Sequence, residues 1–572
     1  MYVACIPNRS SPPAYLLRES YREGGKVKNR TLANLSHLPI KQIELIRRVL
    51  KGETLVGPDE AFEILRSRPH GHVEVVLGVI RKLGLDRMIA SKRSRQRDLV
   101  VAMIAQRLLF PCSKLATTRH WHTTTLAEEL DVADADENEL YAALDWLLGR
   151  KAAVEKKLAG RHLKEGALVL YDVSSSYYEG RTCPLARYGH NRDGKRDRPI
   201  VVYGVLTDGE GRPVAVDVYP GNTGDPTTVP DQVTKLREQF GLEHVVLVGD
   251  RGMLTQTQID TLKEHPELGW ISALRSGSIR QLLARGDLQR SLFDEVNLAE
   301  IRSDEFPGER LIACFNPLLA DERARRREEL LAATEKELHR LARQVGRRTK
   351  RPMSQVEIGL KAGRIVHRFK VAKHFELRIE AGVFAYARNA ASIQQESQLD
   401  GIYVIRTGEP QEQLSAEDTV RSYKRLAEVE QAFRSLKSLD LLIRPIHHRS
   451  EDHVRAHIFV CLLTYYVQWH LKRAWAPLLF EDEDLPAARA RRDPVLAAEP
   501  SDSVQRKKAA HRTADDLPVH SFRTLLAELA TRSRHTCLTA GASLEHTFSK
   551  LTDPTPLQRE ANRLLGLRPT DH

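Results

Sequence analysis

Two uninterrupted apolar runs limit what this chain can fold into more than anything else in it. Ala167-Leu168-Val169-Leu170-Tyr171 and Val245-Val246-Leu247-Val248 show no alternation of polar and apolar residues. Runs of that kind belong to strands covered on both faces, as in a sheet flanked by helices. Two more strand-like runs lie between them, Ile200 to Leu206 and Val214 to Tyr219, followed by a helix-like stretch from Thr228 to Phe240. A helix (Gln256 to Glu264) and a strand (Trp270 to Leu274) come after the second run. The order strand, strand, strand, helix, strand, helix, strand describes an α/β domain. Each apolar run gives way to an aspartate just past its C-terminal end. Asp172 precedes Ser174, Ser175 and Ser176, and Asp250 stands in Gly249-Asp250-Arg251-Gly252. Ligand sites of open α/β sheets form outside such strand ends. A single aspartate there serves equally as a turn or cap residue.

A third acid stands far downstream. From Glu417 the chain reads as an amphipathic helix of about twenty residues, with Val420, Leu426, Val429, Phe433 and Leu436 at three- and four-residue spacings. Glu417 and Asp418 suit its N-terminal dipole, and Pro445 sets a stop beyond it. Tyr423, Glu430 and Lys437 are seven apart, so a regular helix stacks them on nearly one face. Taken alone that stripe reads as a solvated face. Together with Asp172 and Asp250 it supplies a third carboxylate, a set suited to Mg²⁺ or Mn²⁺. Glu428 is the rival acid, but it lies about 200° round the helix from Glu430.

Composition narrows the partner. The 88 Lys and Arg outnumber 76 acids, leaving a formal charge of +12, which leans toward a polyanion, nucleic acid before membrane. Hydrophobic residues at 41% are enough to build cores, which excludes wholesale disorder. Six scattered cysteines without a C-x-x-C pair suit a reducing compartment, and the N-terminus lacks a signal-peptide pattern. The most apolar segment, Ile458 to Val467, is too short to span a bilayer, so a cytoplasmic protein is expected.

The remaining chain falls into flanking regions. Residues 1–55 hold a basic hairpin turned at Gly24 and Gly25, and 56–165 is helical, around Val73 to Leu83, Asp98 to Leu109 and Leu140 to Leu148. The basic stretch Ser91 to Arg97 joins two of these helices and is a candidate contact for a DNA backbone. Residues 166–275 form the first part of the α/β core, 276–400 an insertion, 401–480 the second part of the core, and 481–572 a linker with a helical tail. Within the insertion, Asp321 to Arg351 holds eleven cations against six acids, with Leu331, Thr334, Leu338, Leu341 and Val345 at helical spacing. Both a solvated helix and a DNA-backbone contact fit that pattern. Gly189 to Lys195 mimics a P-loop, but ends in Arg196 where Ser or Thr is required. His447, His448, His453 and His457 have partial zinc-like spacing without nearby cysteines, which favours structural or DNA-contact roles.

These blocks together resemble the DDE transposases of bacterial insertion sequences, in the insertion-sequence-four superfamily with its Y-x2-R-x3-E-x6-K signature. Tyr423, Glu430 and Lys437 match with the correct spacing, while the arginine position holds Leu426. Arg444-Pro445-Ile446-His447 resembles one subgroup, carrying R-P-I-x-H, and Tyr171-Asp172-Val173-Ser174 and Gly249-Asp250-Arg251-Gly252 resemble the other catalytic blocks. The resemblance implies a ribonuclease H-like core interrupted by a largely β insertion domain, with helical N- and C-terminal regions. It implies that Asp172, Asp250 and Glu430 hold two Mg²⁺ (or Mn²⁺) ions. Water then frees a 3′-hydroxyl at the element end, and that hydroxyl attacks target DNA. Tyr423, Lys437, Arg434 and Arg251 are the expected DNA contacts, with Lys424, Arg425 and Arg434 as stand-ins for the missing arginine. The implied partners are double-stranded DNA bearing terminal inverted repeats, target DNA, and a second copy in a synaptic homodimer, all in the bacterial cytoplasm at the nucleoid. A metal-dependent nuclease of the same fold, or a decayed protein that only binds DNA ends, fits the same residues.

Overall fold

A computed structural model describes residues 1–9, 11–53, 61–265, 267–539 and 547–568. The chain divides into two compact units, Met1–Arg68 with Ser533–Asp553, and Pro69–Arg532 with Pro554–Pro569. The expected boundary at 55/56 lies outside the described residues.

The first unit contains an antiparallel meander of Tyr2–Ile6, Ala14–Glu23 and Lys26–Asn34, followed by a helix at Ile40–Leu50. Its long hairpin turns at Gly24 and Gly25, both at positive φ, the backbone that a tight two-residue turn requires. A second sheet pairs Phe62–Pro69 with Ser533–Thr539 and Thr547–Leu551. The C-terminal tail, read as helical, therefore also supplies two strands. Ser533–Thr539 buries only Cys537 fully and shows no apolar alternation, so its strand character comes from its partners.

The second unit is organised on one eight-stranded mixed sheet. Its strands are β1 (Ala167–Tyr177), β2 (Ile200–Asp208), β3 (Pro213–Pro220), β4 (Val245–Val248), β5 (Leu268–Ala273), β6 (Leu298–Ile301), β7 (Arg310–Phe315) and β8 (Ile402–Thr407). Their order across the sheet is β6-β7-β8-β5-β4-β1-β2-β3. β4 runs parallel to β1, and β5 parallel to β4; every other neighbouring pair is antiparallel. The two apolar runs are thus adjacent central strands, consistent with their lack of alternation.

Residues 276–400 are not largely β. They form helices at Ser276–Arg285, α1 (Pro317–Arg347), α2 (Gln355–Arg368) and Ala390–Ser397, with one hairpin of Phe375–Glu380 and Val383–Arg388. β6 and β7 belong to the main sheet. The cause is the helical spacing itself: Leu331, Leu338, Leu341 and Val345 of α1 pack with Ile358, Ala362 and Val366 of α2 and with Phe375 and Phe384 of the hairpin.

After β8 come α3 (Ala416–Lys424), α4 (Leu426–Arg434) and α5 (Glu451–Ala474). α5 is buried along most of its length and packs with the helices Gly71–Lys82, Arg95–Leu109 and Glu137–Leu148. The basic stretch before Arg95–Leu109 is engaged internally: Arg93 pairs with Asp98 at 2.6 Å and Arg95 with Glu139 at 2.7 Å. Among the described residues no single helix is long and apolar enough to cross a membrane.

Candidate active site

Asp172 lies within β1, not past its end. The parallel ladder with β4 does stop at Leu170 and Val248, but β1 continues against β2, from Val173 opposite Gly204 to Tyr177 opposite Ile200. The serine run does not end the strand because its buried hydroxyls find partners. Ser176 Oγ lies 2.9 Å from the Tyr203 hydroxyl, and Ser175 Oγ donates to the His190 carbonyl at 3.4 Å. Asp172 therefore sits where the sheet opens between β1 and the end of β4, and Asp250 follows β4 by two residues. The turn around Asp250 is self-capped, since its Oδ1 accepts the N–H groups of Gly252 (2.9 Å) and Met253 (2.7 Å). Its other oxygen is left out of that turn.

Strand parity sets the third acid. Asp172 shares a face of the sheet with Ser174, whose cross-strand partner is Tyr203. Phe433 of α4 meets the Tyr203 ring edge-on at 5.8 Å, and Val429 and Ala432 are buried beside it. This apolar contact docks α4 on the face that carries Asp172 and leaves Glu430 exposed on the flank of the helix, about 60° round from Phe433.

The charges register the arrangement. Burial pushes the Asp172 carboxyl up to about 7, and the nearby Asp250 and Glu430 push it the same way, against the Val173 N–H and Arg192. Burial likewise pushes the Tyr423 phenol up to about 12, with Asp250, Glu430 and Asp172 adding to it and Arg251 opposing. Asp172, Asp250, Glu430, Tyr423 and Arg251 are therefore electrostatic neighbours. Among the described residues no group of three His, Cys, Asp or Glu is gathered tightly enough to chelate one ion. The carboxylates are close without forming a closed cage. Their chemistry still fits a hard divalent cation: oxygen donors only, one half-buried acid whose ionisation is opposed by two others, and the cation that favours its ionisation, Arg192, already bonded to Asp225.

The expected single stripe is broken. The helix is interrupted at Arg425, and Ser435–Leu439 forms a π-helical turn. A π turn inserts an extra residue, so Lys437 is rotated away from the line of Tyr423 and Glu430. Its Nζ lies 3.3 Å from Asp193 Oδ1, in a site where the Asp193 side chain is only 2% exposed. Arg444 bonds the same oxygen, and Asp193 Oδ2 accepts the Tyr177 N–H at 3.1 Å. Asp193 thus ties the loop before β2 to β1 and to the segment after α4. Asp193 is not legible in the sequence, because the motif around it looks like a defective P-loop and no spacing signals a buried carboxylate.

The other cations separate cleanly. Lys424 donates to the Val495 and Leu496 carbonyls, both at 2.8 Å, and Arg425 to the Gly209 carbonyl at 3.2 Å. Arg434 is exposed and lies 3.7 Å from Glu430. Glu428 is bonded to Arg489, in a cluster with Glu210 and Arg473. Of the histidines, His457 donates from Nε2 to the Ile443 carbonyl at 3.2 Å, His453 stacks on Tyr141, and His448 lies against His457.

Comparison with known families decides the class. The transposase DDE domain matches residues 168–467, slightly more than half of the chain. The chain belongs to the DDE transposases. The N-terminal domain of the IS1634 family of transposases matches residues 6–59, which specifies the type of insertion sequence. The transposase is thus an enzyme of DNA cleavage and strand transfer, and its matched domain contains Asp172, Asp250 and Glu430. No curated protein matches the sequence. A solved structure similar to the chain is a piggyBac transposase synaptic complex with hairpin DNA, at 10% identity, covering 70% of this chain and 74% of that one. Its TM-score of 0.32 is too low to bear on the fold.

Proposed function

We propose that the transposase cuts DNA at the ends of its insertion sequence and joins the freed 3′-hydroxyl to target DNA at Asp172, Asp250 and Glu430. The observation that supports this reading is the convergence of three acids from three separate elements, two of them acting on the half-buried Asp172. The order β3-β2-β1-β4-β5, with β4 and β5 running parallel to β1 and β2 antiparallel, supports a ribonuclease H-like core. Asp172, Asp250 and Glu430 would together hold two Mg²⁺ or Mn²⁺ ions. When bound, such ions lower the pKa of an attacking hydroxyl and stabilise the leaving oxygen of a phosphodiester.

The chain's own residues divide the remaining work. Tyr423, its phenol kept protonated, donates a hydrogen bond toward a phosphate at the site. Arg251 and Arg434, both exposed, offer cations to the DNA backbone beside the acids. Lys437, engaged by Asp193, braces α4 and does not reach DNA as a free charge. The DNA partners in this reading are terminal inverted repeats and target, bound by a homodimer.

The assignment is tested by cleavage of a terminal-repeat duplex with Mg²⁺. Glu430→Gln should abolish cutting while DNA binding persists, and Glu428→Gln should retain cutting. A dead Glu428→Gln beside an active Glu430→Gln would place the third acid wrongly. Supplying a pre-cut 3′-hydroxyl end with target plasmid separates transposase from nuclease, because released fragments without joined product would leave only hydrolysis.

A further inference from the structure

One cavity of about 730 Å³ adjoins the proposed site through Arg251, the residue after Asp250. It is lined by eight Arg or Lys and two acids, Glu396 and Asp400. Both acids are already taken. Asp400 receives Arg327 through both oxygens, one bond measuring 2.9 Å, and Glu396 bonds Lys373 and His374. Arg251, Arg280, Arg326, Arg368 and Lys370 make no ion pair among the described residues, and Arg323 donates only to the Leu399 carbonyl, at 3.2 Å. Outside the cavity the cations of α1 are mixed, since Arg343 and Arg347 also make no ion pair among the described residues. On α1, Arg325 and Arg340, outside the cavity, pair with Glu329 and Glu337 one turn away. Arg323, Arg326 and Arg327 stand at three- and four-residue spacing, so one face of α1 turns toward the cavity.

Gathering so many uncompensated cations costs self-repulsion, which is relieved when a polyanion lies across them. They come from four separate segments, Ser276–Arg285, α1, the end of α2 and its following turn, and the turn after β4. A row of spaced phosphates matches that spread better than a single bound anion. We infer that this cavity is a rail for the DNA sugar–phosphate backbone, gripping without regard to sequence the strand that continues from the carboxylate site past Arg251. It rests on the proposed site only for the direction of that strand.

The test is anisotropy titration of the full chain in EDTA. The probes are a fluorescein-labelled duplex bearing the element's terminal repeat and a scrambled duplex of the same length, at several salt concentrations. Combined Arg280→Ala, Arg326→Ala and Arg368→Ala should weaken both duplexes alike. The slope of log affinity against log salt should become shallower by roughly two to three, at about 0.9 per phosphate contact. The matching lysine variants should restore the slope, which a merely structural role for the guanidinium groups would not allow. Arg343→Ala, Arg347→Ala and Lys350→Ala remove as much charge outside the cavity and should leave the slope unchanged. An unaltered slope in the cavity variant, an equal loss in the control, or a loss confined to the terminal-repeat duplex would each overturn the inference. These outcomes are independent of the carboxylate assignment, since a Glu430→Gln protein that still cuts overturns that assignment alone.

Discussion

Asp193 is held between two cations and a backbone N–H with almost no access to water. Replacing it with Asn keeps an acceptor for Tyr177 but strands Lys437 and Arg444 as half-buried charges without a counterion. Breaking a buried pair from one side costs about 3–5 kcal/mol, and urea unfolding of Asp193→Asn should show a loss of that order. Lys437→Met should cost less, because Arg444 still neutralises the carboxylate. Equal losses in the two variants would mean that Arg444 does not neutralise the carboxylate on its own. The same residue explains a limit of sequence reading. Tyr423, Glu430 and Lys437 carry a legible heptad signal, but the signal describes a chain position and not the direction in which the side chain leaves the helix. The π turn that redirects Lys437 has no counterpart in the spacing.

At the level of elements, β1 is positioned by a glycine. Gly204 on β2 faces Val173, on the side of the sheet to which Tyr171 also turns, and a Cβ at 204 would stand 2.2 Å from the Tyr171 hydroxyl. That ring is fully buried and its hydroxyl donates to Thr228 Oγ1 at 2.9 Å, so it has little room to yield. Gly204→Ala should therefore destabilise the protein by about 1–3 kcal/mol through overpacking. It should also lower cleavage by shifting the strand that carries Asp172. Adding Tyr171→Phe should recover part of the stability, as read by thermal melting; no recovery would mean that the clash lies elsewhere. The central strands were legible because burial on both faces writes itself as continuous apolar sequence. Residues 276–400 were half legible: the spacing of Leu331 to Val345 announced a helix, whereas the expectation of a largely β domain came from resemblance and failed. Ser533–Thr539 was not legible, since its partner Phe62–Pro69 lies hundreds of residues away and its own residues carry no period.

Across the whole molecule, half-buried histidines set an acid limit. Burial, with Lys114, His453, Arg107 and His447 around it, pushes His448 down to about 3, and burial with His162, Arg212 and Arg161 does the same to His470. The unfolded chain, with histidines near 6.5, takes up these protons first as pH falls. The stability is therefore fully present above about 6.5 and drains away toward about 3, by roughly 1–2 kcal/mol per histidine at pH 5. Melting temperature should drop over that window, and His448→Gln should flatten the drop; an identical slope would exclude this histidine as a source. The same molecule has a seam. Phe315 and Ile402 are cross-strand partners at the ends of β7 and β8, and the Asn316 N–H bonds the Gly401 carbonyl at 2.9 Å. Everything between them, α1, α2, the hairpin and the helix Ala390–Ser397, with a separate apolar core, leaves and returns through the mouth of one hairpin. Such an excursion is detachable: closing 315 to 402 with a two-residue turn would keep the eight-stranded register intact. The shortened enzyme should fold as a sheet that still carries Asp172, Asp250 and Glu430 but has lost most of its salt-sensitive hold on DNA. The gripping and cutting halves of the molecule could then be exchanged between relatives as separate parts.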